Sequence, residues 1–236
     1  MKKQTVIGAF LVLMTAAGLG GCQKKQEEPW VPEETAIQVQ EDGTLKETIV
    51  DRLSQPYYDP AELENMIRSS VDTYNHENGE GSVTVDEFTA EEDRITVRMT
   101  YLSSQDYSSF NQVPFFSGSM LEAEMEGFRF TEDFLKVDKG NAGSKAIAPE
   151  EPLSHKEYSV LIVDASYMAE VPGDIMYVSL NARPAGRRIM RPAGALAETA
   201  EETEAEGLEL PSSAVYTPEG EEENGGNELI CVIYDF

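Results

Sequence analysis

Leu229-Ile230-Cys231-Val232-Ile233-Tyr234 stands two residues from the C-terminus, behind a long stretch of Glu, Ala, Gly, Ser and Pro. An apolar, β-rich run of this kind is not left in water, so it is expected to return to the sheet as its last strand. That reading turns residues 196–227 into an internal loop. Their composition buries too little apolar surface to offset the entropy of ordering, which predicts an acidic disordered loop. Closing so long a loop is tolerable because its cost grows only logarithmically with length.

Working outward, Tyr158-Ser159-Val160-Leu161-Ile162-Val163 is almost wholly apolar and reads as a central strand. Residues 166–171, the turn Pro172-Gly173-Asp174 and residues 175–180 read as strand, turn, strand, the strongest hairpin signal in the chain. A second hairpin is expected from Val83-Thr84-Val85 and Ile95-Thr96-Val97-Arg98-Met99-Thr100-Tyr101, joined by several residues around Glu91-Glu92-Asp93. Its period of two leaves Thr96, Arg98 and Thr100 on a wet face. Asp59 with Pro60 behind it and Glu62 three after the cap starts a helix. Leu63, Met66, Ile67, Val71 and Tyr74 follow at helical spacing, and Asn78-Gly79 ends the run. Ser103 or Ser104 with Asp106 starts a shorter helix through Phe110; residues 138–152 read as a loop, and a strand is expected from about Phe128. The fold class that results is α+β: one antiparallel sheet of about five or six strands, with the amphipathic helix 60–78 packed on one face.

At the other end, Lys2 and Lys3 precede an apolar run from Val6 to Leu13 that leads to Leu19-Gly20-Gly21-Cys22. The run is too short and its end too glycine-rich for a membrane span of about 20 apolar residues. This stretch resembles the signal peptide of bacterial membrane lipoproteins, with Leu19-Gly20-Gly21-Cys22 as the lipobox. The resemblance implies cleavage between Gly21 and Cys22 and acylation of Cys22 by long-chain groups such as palmitate. The protein would then be lipid-anchored at the cell membrane, facing outside the cytoplasm, with the bilayer itself as its first partner. It covers about a tenth of the chain; beyond it the chain is similar only to small bacterial lipoproteins without an agreed activity. The expected organisation is a signal peptide over 1–21, a lipidated flexible tether over 22–42, a single domain over 43–195 with 228–236, and the acidic loop 196–227. Gln23 rather than an aspartate follows Cys22, which leaves inner and outer membrane open.

Charge narrows the partners. Forty-four acidic residues stand against 18 basic ones, for a formal charge of −26, and the leader contributes two of the lysines. Nucleic acid needs clustered Lys and Arg and is not an expected partner. With Cys22 consumed by lipid, Cys231 has no disulfide mate and reads as a small buried side chain. His76 suits a helix C-terminus, and with His155 the only other histidine, no zinc set can be assembled. Neither a P-loop, a G-x-S-x-G elbow nor a dinucleotide fingerprint occurs. No catalytic residue, cofactor or metal site is therefore assigned. The glutamate-rich loop, including Glu221-Glu222-Glu223-Asn224-Gly225-Gly226, suits at most weak, unselective divalent-cation binding.

One motif stands out against this background. Arg183-Pro184-Ala185-Gly186 recurs as Arg191-Pro192-Ala193-Gly194, with Arg187 and Arg188 between. The four arginines have two readings, an anion site or a solvated loop paired with nearby glutamates, and the second is the ordinary one. The leading functional expectation is a non-enzymatic binding or interaction module with a partner in the envelope. A substrate-binding lipoprotein of a transporter and an enzyme of unrecognised type are the alternatives.

Overall fold

The computed structural model describes residues 30–53, 58–194, 215–216 and 229–236. The chain divides into two units, Met1–Val31 and Pro32–Phe236. Gly21, Cys22 and nearly all of the first unit lie outside the described residues, as do 195–214 and 217–228 of the expected acidic loop. No helix among the described residues is long and apolar enough to cross a membrane.

In chain order the second unit comprises β1 (Ala36–Val39), β2 (Leu45–Arg52), α1 (Pro60–Asn78), β3 (Val83–Glu91), β4 (Arg94–Tyr101), α2 (Ser104–Asn111), β5 (Phe116–Ser119), α3 (Met120–Met125), β6 (Arg129–Phe130), β7 (Phe134–Asp138), β8 (Asn141–Ile147), α4 (Glu150–Leu153), β9 (Ser159–Asp164), β10 (Met168–Glu170), β11 (Asp174–Ser179), β12 (Ala182–Pro184), β13 (Ile189–Pro192), β14 (Val215–Tyr216) and β15 (Leu229–Asp235). The fold is α+β, but it is built on two principal sheets rather than one. The first has seven strands in the order β12-β13-β10-β1-β2-β4-β3, and the second six in the order β5-β9-β15-β11-β7-β8. All pairings are antiparallel except that of β1 with β10. A third, two-stranded sheet joins β14 to β6, so a short piece of the expected acidic loop is paired.

β15 is the middle of the second sheet. It pairs with β9 from Leu229↔Asp164 to Tyr234↔Ser159 and with β11 on its other edge. Ile230, Val232 and Tyr234 enter a core shared with Ile37, Leu45, Val97 and Met99 of the first sheet. Leu229, Cys231 and Ile233 enter a second core with Met120 and Ala123 of α3 and with Phe128 and Phe130. Both faces are thus dry, which explains an uninterrupted apolar run where a half-exposed strand would alternate. Each such fully buried side chain contributes roughly 1.5–3 kcal/mol relative to exposure.

The expected hairpin over 166–180 is not one. β10 belongs to the first sheet and β11 to the second, and Val171 to Gly173 carry the chain across. Instead of bonding each other, the flanking amides reach to the arginine segment: Val171 N donates to the carbonyl of Arg188 (2.9 Å) and Ile175 N to that of Arg187 (2.7 Å). A Cβ on Gly173 would lie 1.9 Å from the Asp235 carbonyl oxygen, so this crossing admits no side chain. Two alternating runs around Pro-Gly look like a hairpin locally, yet each finds its pairing partner elsewhere.

Three boundaries also differ. β1 falls inside the expected tether, where Ala36 and Ile37 are fully buried; surrounding Glu, Pro and Gln mask a four-residue strand. β8 falls inside the expected loop 138–152. It is an exposed edge strand of small residues, held by backbone pairing to β7 across the tight turn Lys139–Gly140, both at positive φ. The strand expected from about Phe128 is split: α3 ends before it, and only Arg129–Phe130 and then β7 are extended.

The helix over 60–78 has the bounds its sequence signals. The Asp59 carboxylate accepts from Ala61 N at 2.8 Å, and Gly79, at φ 128°, returns its N–H to Asn75 O. Asn75 clamps the helix to β3, donating to Val83 O (2.8 Å) and accepting from Val83 N (2.9 Å). The opposite, solvent-facing side of β4 carries the Arg98–Glu87 ion pair at 2.9 Å and the Thr100 hydroxyl on Asp86. α2 is capped by Ser103, whose hydroxyl accepts from Asp106 N at 3.1 Å.

Candidate functional site

α1 lies along the first sheet and turns Leu63, Ile67, Val71 and Tyr74 inward. Val71 is buried and Leu63, Ile67 and Tyr74 are half-buried, whereas Met66, beside Ile67 but off that stripe, is 60 % exposed. Between the first turns of α1 and the inner face of β2 and β4 lies a groove about 730 Å³ in volume. That size lies within the range of roughly 300–1,000 Å³ usual for small-molecule sites. Its floor and walls are Ile49, Ile95 and Val97 from the sheet and Leu63, Met66 and Ile67 from the helix. At one end Asp51, Arg52, Tyr58, Asp59 and Glu62 form a polar rim.

The rim is mainly acidic. Arg52 is drawn outward to Asp93 at 3.5 Å, Asp51 accepts from Arg52 N, and Asp59 caps the helix. Glu62 faces the groove from the first turn of α1. The period-two pattern of β4 and the helical period of α1 made both walls legible in sequence. The gap between them was not, because it depends on how far α1 stands from the sheet.

A second constellation escaped the sequence altogether. Glu47, on β2, is 2 % exposed and is surrounded by three phenols. Tyr101 donates to its Oε2 at 2.6 Å, and Tyr107 and Tyr167 donate to its Oε1 at 3.2 and 3.0 Å. Asn111 supports the cage with an N–H bond to the Tyr101 hydroxyl at 3.3 Å. Tyr101 and Tyr107 meet edge to face with ring centres 4.9 Å apart. Burial raises the Glu47 carboxyl above its ordinary value and outweighs the three hydrogen bonds, which pull the other way. Burial, and then the neighbouring Glu47 charge, also raise all three phenols. The cluster ties β2, β4, α2 and the residues before β10 together. Its only sequence signal is that Glu47 falls in the inward register of Leu45 and Ile49, while the tyrosines lie 54 to 120 residues away.

The four arginines do not converge. Arg187 makes a bidentate pair with Asp174 through Nε (3.0 Å) and Nη2, which holds the Asp174 carboxyl below its ordinary range. Arg188 lies 3.9 Å from Glu170, which also accepts from Gln38. These two follow the ordinary reading. Arg183 instead donates to the carbonyls of Leu180 and Ala182, and Arg191 has no carboxylate partner among the described residues.

Cys231 is fully buried, and burial pushes its thiol far above the ordinary value, which makes it inert as a nucleophile. His76 sits in the last turn of α1, and His155 stacks on Tyr158 at 4.8 Å with Nδ1 3.1 Å from Glu157. Among the described residues no three His, Cys, Asp or Glu side chains gather as metal ligands. Glu221 to Gly226 lie outside the described residues. No protein-family model matches the chain, and no curated protein or solved structure matches it significantly.

Proposed function

We propose that the chain is an extracytoplasmic lipoprotein, anchored to the cell membrane through acylated Cys22, whose folded unit is a non-enzymatic binding module. The observation that supports this reading is the groove between α1 and the inner face of β2 and β4. Its apolar floor suits an apolar body, and the acidic rim of Asp51, Asp59 and Glu62 suits a cationic end. Chemistry at this site has little to work with. Apart from the Tyr58 phenol, its described lining brings no hydroxyl, thiol, imidazole or amine. Glu47 and Cys231, whose acidity burial shifts upward, are sealed from solvent and cannot meet a substrate.

Two measurements test the two halves of the proposal. Titration with N-phenyl-1-naphthylamine, an uncharged apolar fluorophore, is expected to give saturable enhancement that Met66→Lys abolishes without lowering the melting temperature. Enhancement that never saturates, or that survives Met66→Lys, refutes the groove. Cys22→Ala is expected to end incorporation of labelled fatty acid and to release the protein from membranes; retained labelling refutes the anchor.

A further inference from the structure

β12 and β13 place Arg183 directly opposite Arg191. The ladder bonds Ala185 N to Ile189 O and Ala193 N to Asn181 O bracket this pair symmetrically. Arg183 and Arg191 therefore occupy a hydrogen-bonded position, with Cα atoms about 5.5 Å apart. Ala182 and Met190, one position away, are fully buried. The pleat thus sends the two arginines together to the opposite face of the first sheet. Like charges directly opposite one another destabilise a strand pair.

In most proteins a carboxylate relieves such a pair, and this chain has 44 acids against 18 bases. Among the described residues the nearby acids go elsewhere. Asp174 is taken by Arg187, and Glu170, which faces the same side from β10 opposite Ile189, is shared by Arg188 and Gln38. Neither Arg183 nor Arg191 has an ion pair with any described residue. Arg183 is braced instead, with Nη1 donating to Leu180 O at 2.8 Å and Ala182 O at 2.7 Å. Arg191 carries the one buried side-chain polar atom among the described residues that lacks a hydrogen bond, its Nε. Buried donors are nearly always satisfied, and one left orphaned marks a missing partner. A guanidinium that has lost water at Nε without replacement attracts an anion at its remaining nitrogens more strongly than a hydrated one.

We infer that Arg183 and Arg191 form a binding site for an oxyanion group, carboxylate or phosphate, bridging the two guanidiniums. One such group neutralises the cross-strand repulsion, and its planar or tetrahedral oxygens match the fork of a guanidinium. The site is distinct from the α1 groove and does not depend on it.

The test is a titration of the full chain with inorganic phosphate at low ionic strength, read from the arginine Nε–Hε resonances, with succinate as a second titrant. The expected result is a saturable shift of the Arg183 and Arg191 signals with one phosphate bound. Arg191→Gln should weaken binding at least tenfold. Arg191→Lys, which keeps the charge but loses the fork, should weaken it less. Arg187→Gln, which breaks the Asp174 pair, should leave it unchanged. Shifts that are linear and alike for all arginines mean an adventitious ion only and overturn the proposal, as does equal weakening by Arg187→Gln. The other source of carboxylate is the chain's own segment 196–227. If Arg191 Nε–Hε moves when the glutamates of that segment are changed to glutamine and no anion is added, the site is filled internally and the free-anion reading fails.

Discussion

Ile230 and Ile233 test the two-layered core from a single strand. Both are fully buried, yet Ile230 points between the two sheets and Ile233 toward α3. Ile230 lies opposite Val163, and Ile233 opposite Val160 on one side and Tyr177 on the other. Replacing a buried Ile by Ala costs about 2–5 kcal/mol, more where the surroundings cannot collapse into the space. β15 is fixed on both edges by paired strands, so values above about 3 kcal/mol are expected for each change. Because the two side chains face different layers and share no core, their effects should add. The double variant then loses about 6 kcal/mol or more, a large part of the 5–15 kcal/mol that holds a typical domain together. Urea unfolding followed by far-UV circular dichroism measures this directly. At an m-value of about 2 kcal/mol/M each single change should lower the midpoint by roughly 1.5 M. A loss below about 1 kcal/mol for either variant would refute its dry environment. A double variant no worse than the weaker single would refute the separation into two layers.

Three further changes probe other parts of the fold. Burial raises the Glu47 carboxyl, so the folded chain retains a proton where the unfolded chain has released it. Stability from this group is complete below the ordinary carboxylate value and is lost as pH rises through the folded one. Glu47→Gln stays neutral throughout, so its stability relative to the native chain should rise as pH increases above the ordinary carboxylate range; a difference that is flat or falls with pH contradicts the raised carboxyl. Gly173→Ala puts a Cβ 1.9 Å from the Asp235 carbonyl and must displace the ends of β11 and β15, whereas Gly194 has no atom within 4 Å of such a Cβ. The first should cost about 1–3 kcal/mol, several degrees of melting temperature, and the second should be within about 0.5 kcal/mol of neutral. Equal melts for the two would show that the crossing between sheets is not as tight as drawn.

What the sequence determined by itself was local. The helix over Pro60–Asn78 could be read to the residue because its cap, its period and its terminal glycine are all short-range signals. The run 229–234 declared its burial because no alternative to a covered strand suits six apolar residues at the end of an acidic chain. Tertiary structure alone decided which sheet each strand joined. Residues 168–170 and 174–179 carry the same alternation and the same Pro-Gly link as a hairpin, and only the competing partners β1 and β13 on one side and β7 and β15 on the other draw them apart. The same holds for the sites. Glu47 meets three phenols drawn from as far as 120 residues away, and the groove is walled by the first turns of α1 on one side and by β2 and β4 on the other, elements that only the fold brings together. The arginine repeat was visible from the beginning, but its four charges look alike in a linear reading. Strand register separates them: it gives Arg187 and Arg188 their acids and leaves Arg183 facing Arg191, because pairing across a sheet is fixed by long-range contacts that no window of sequence contains.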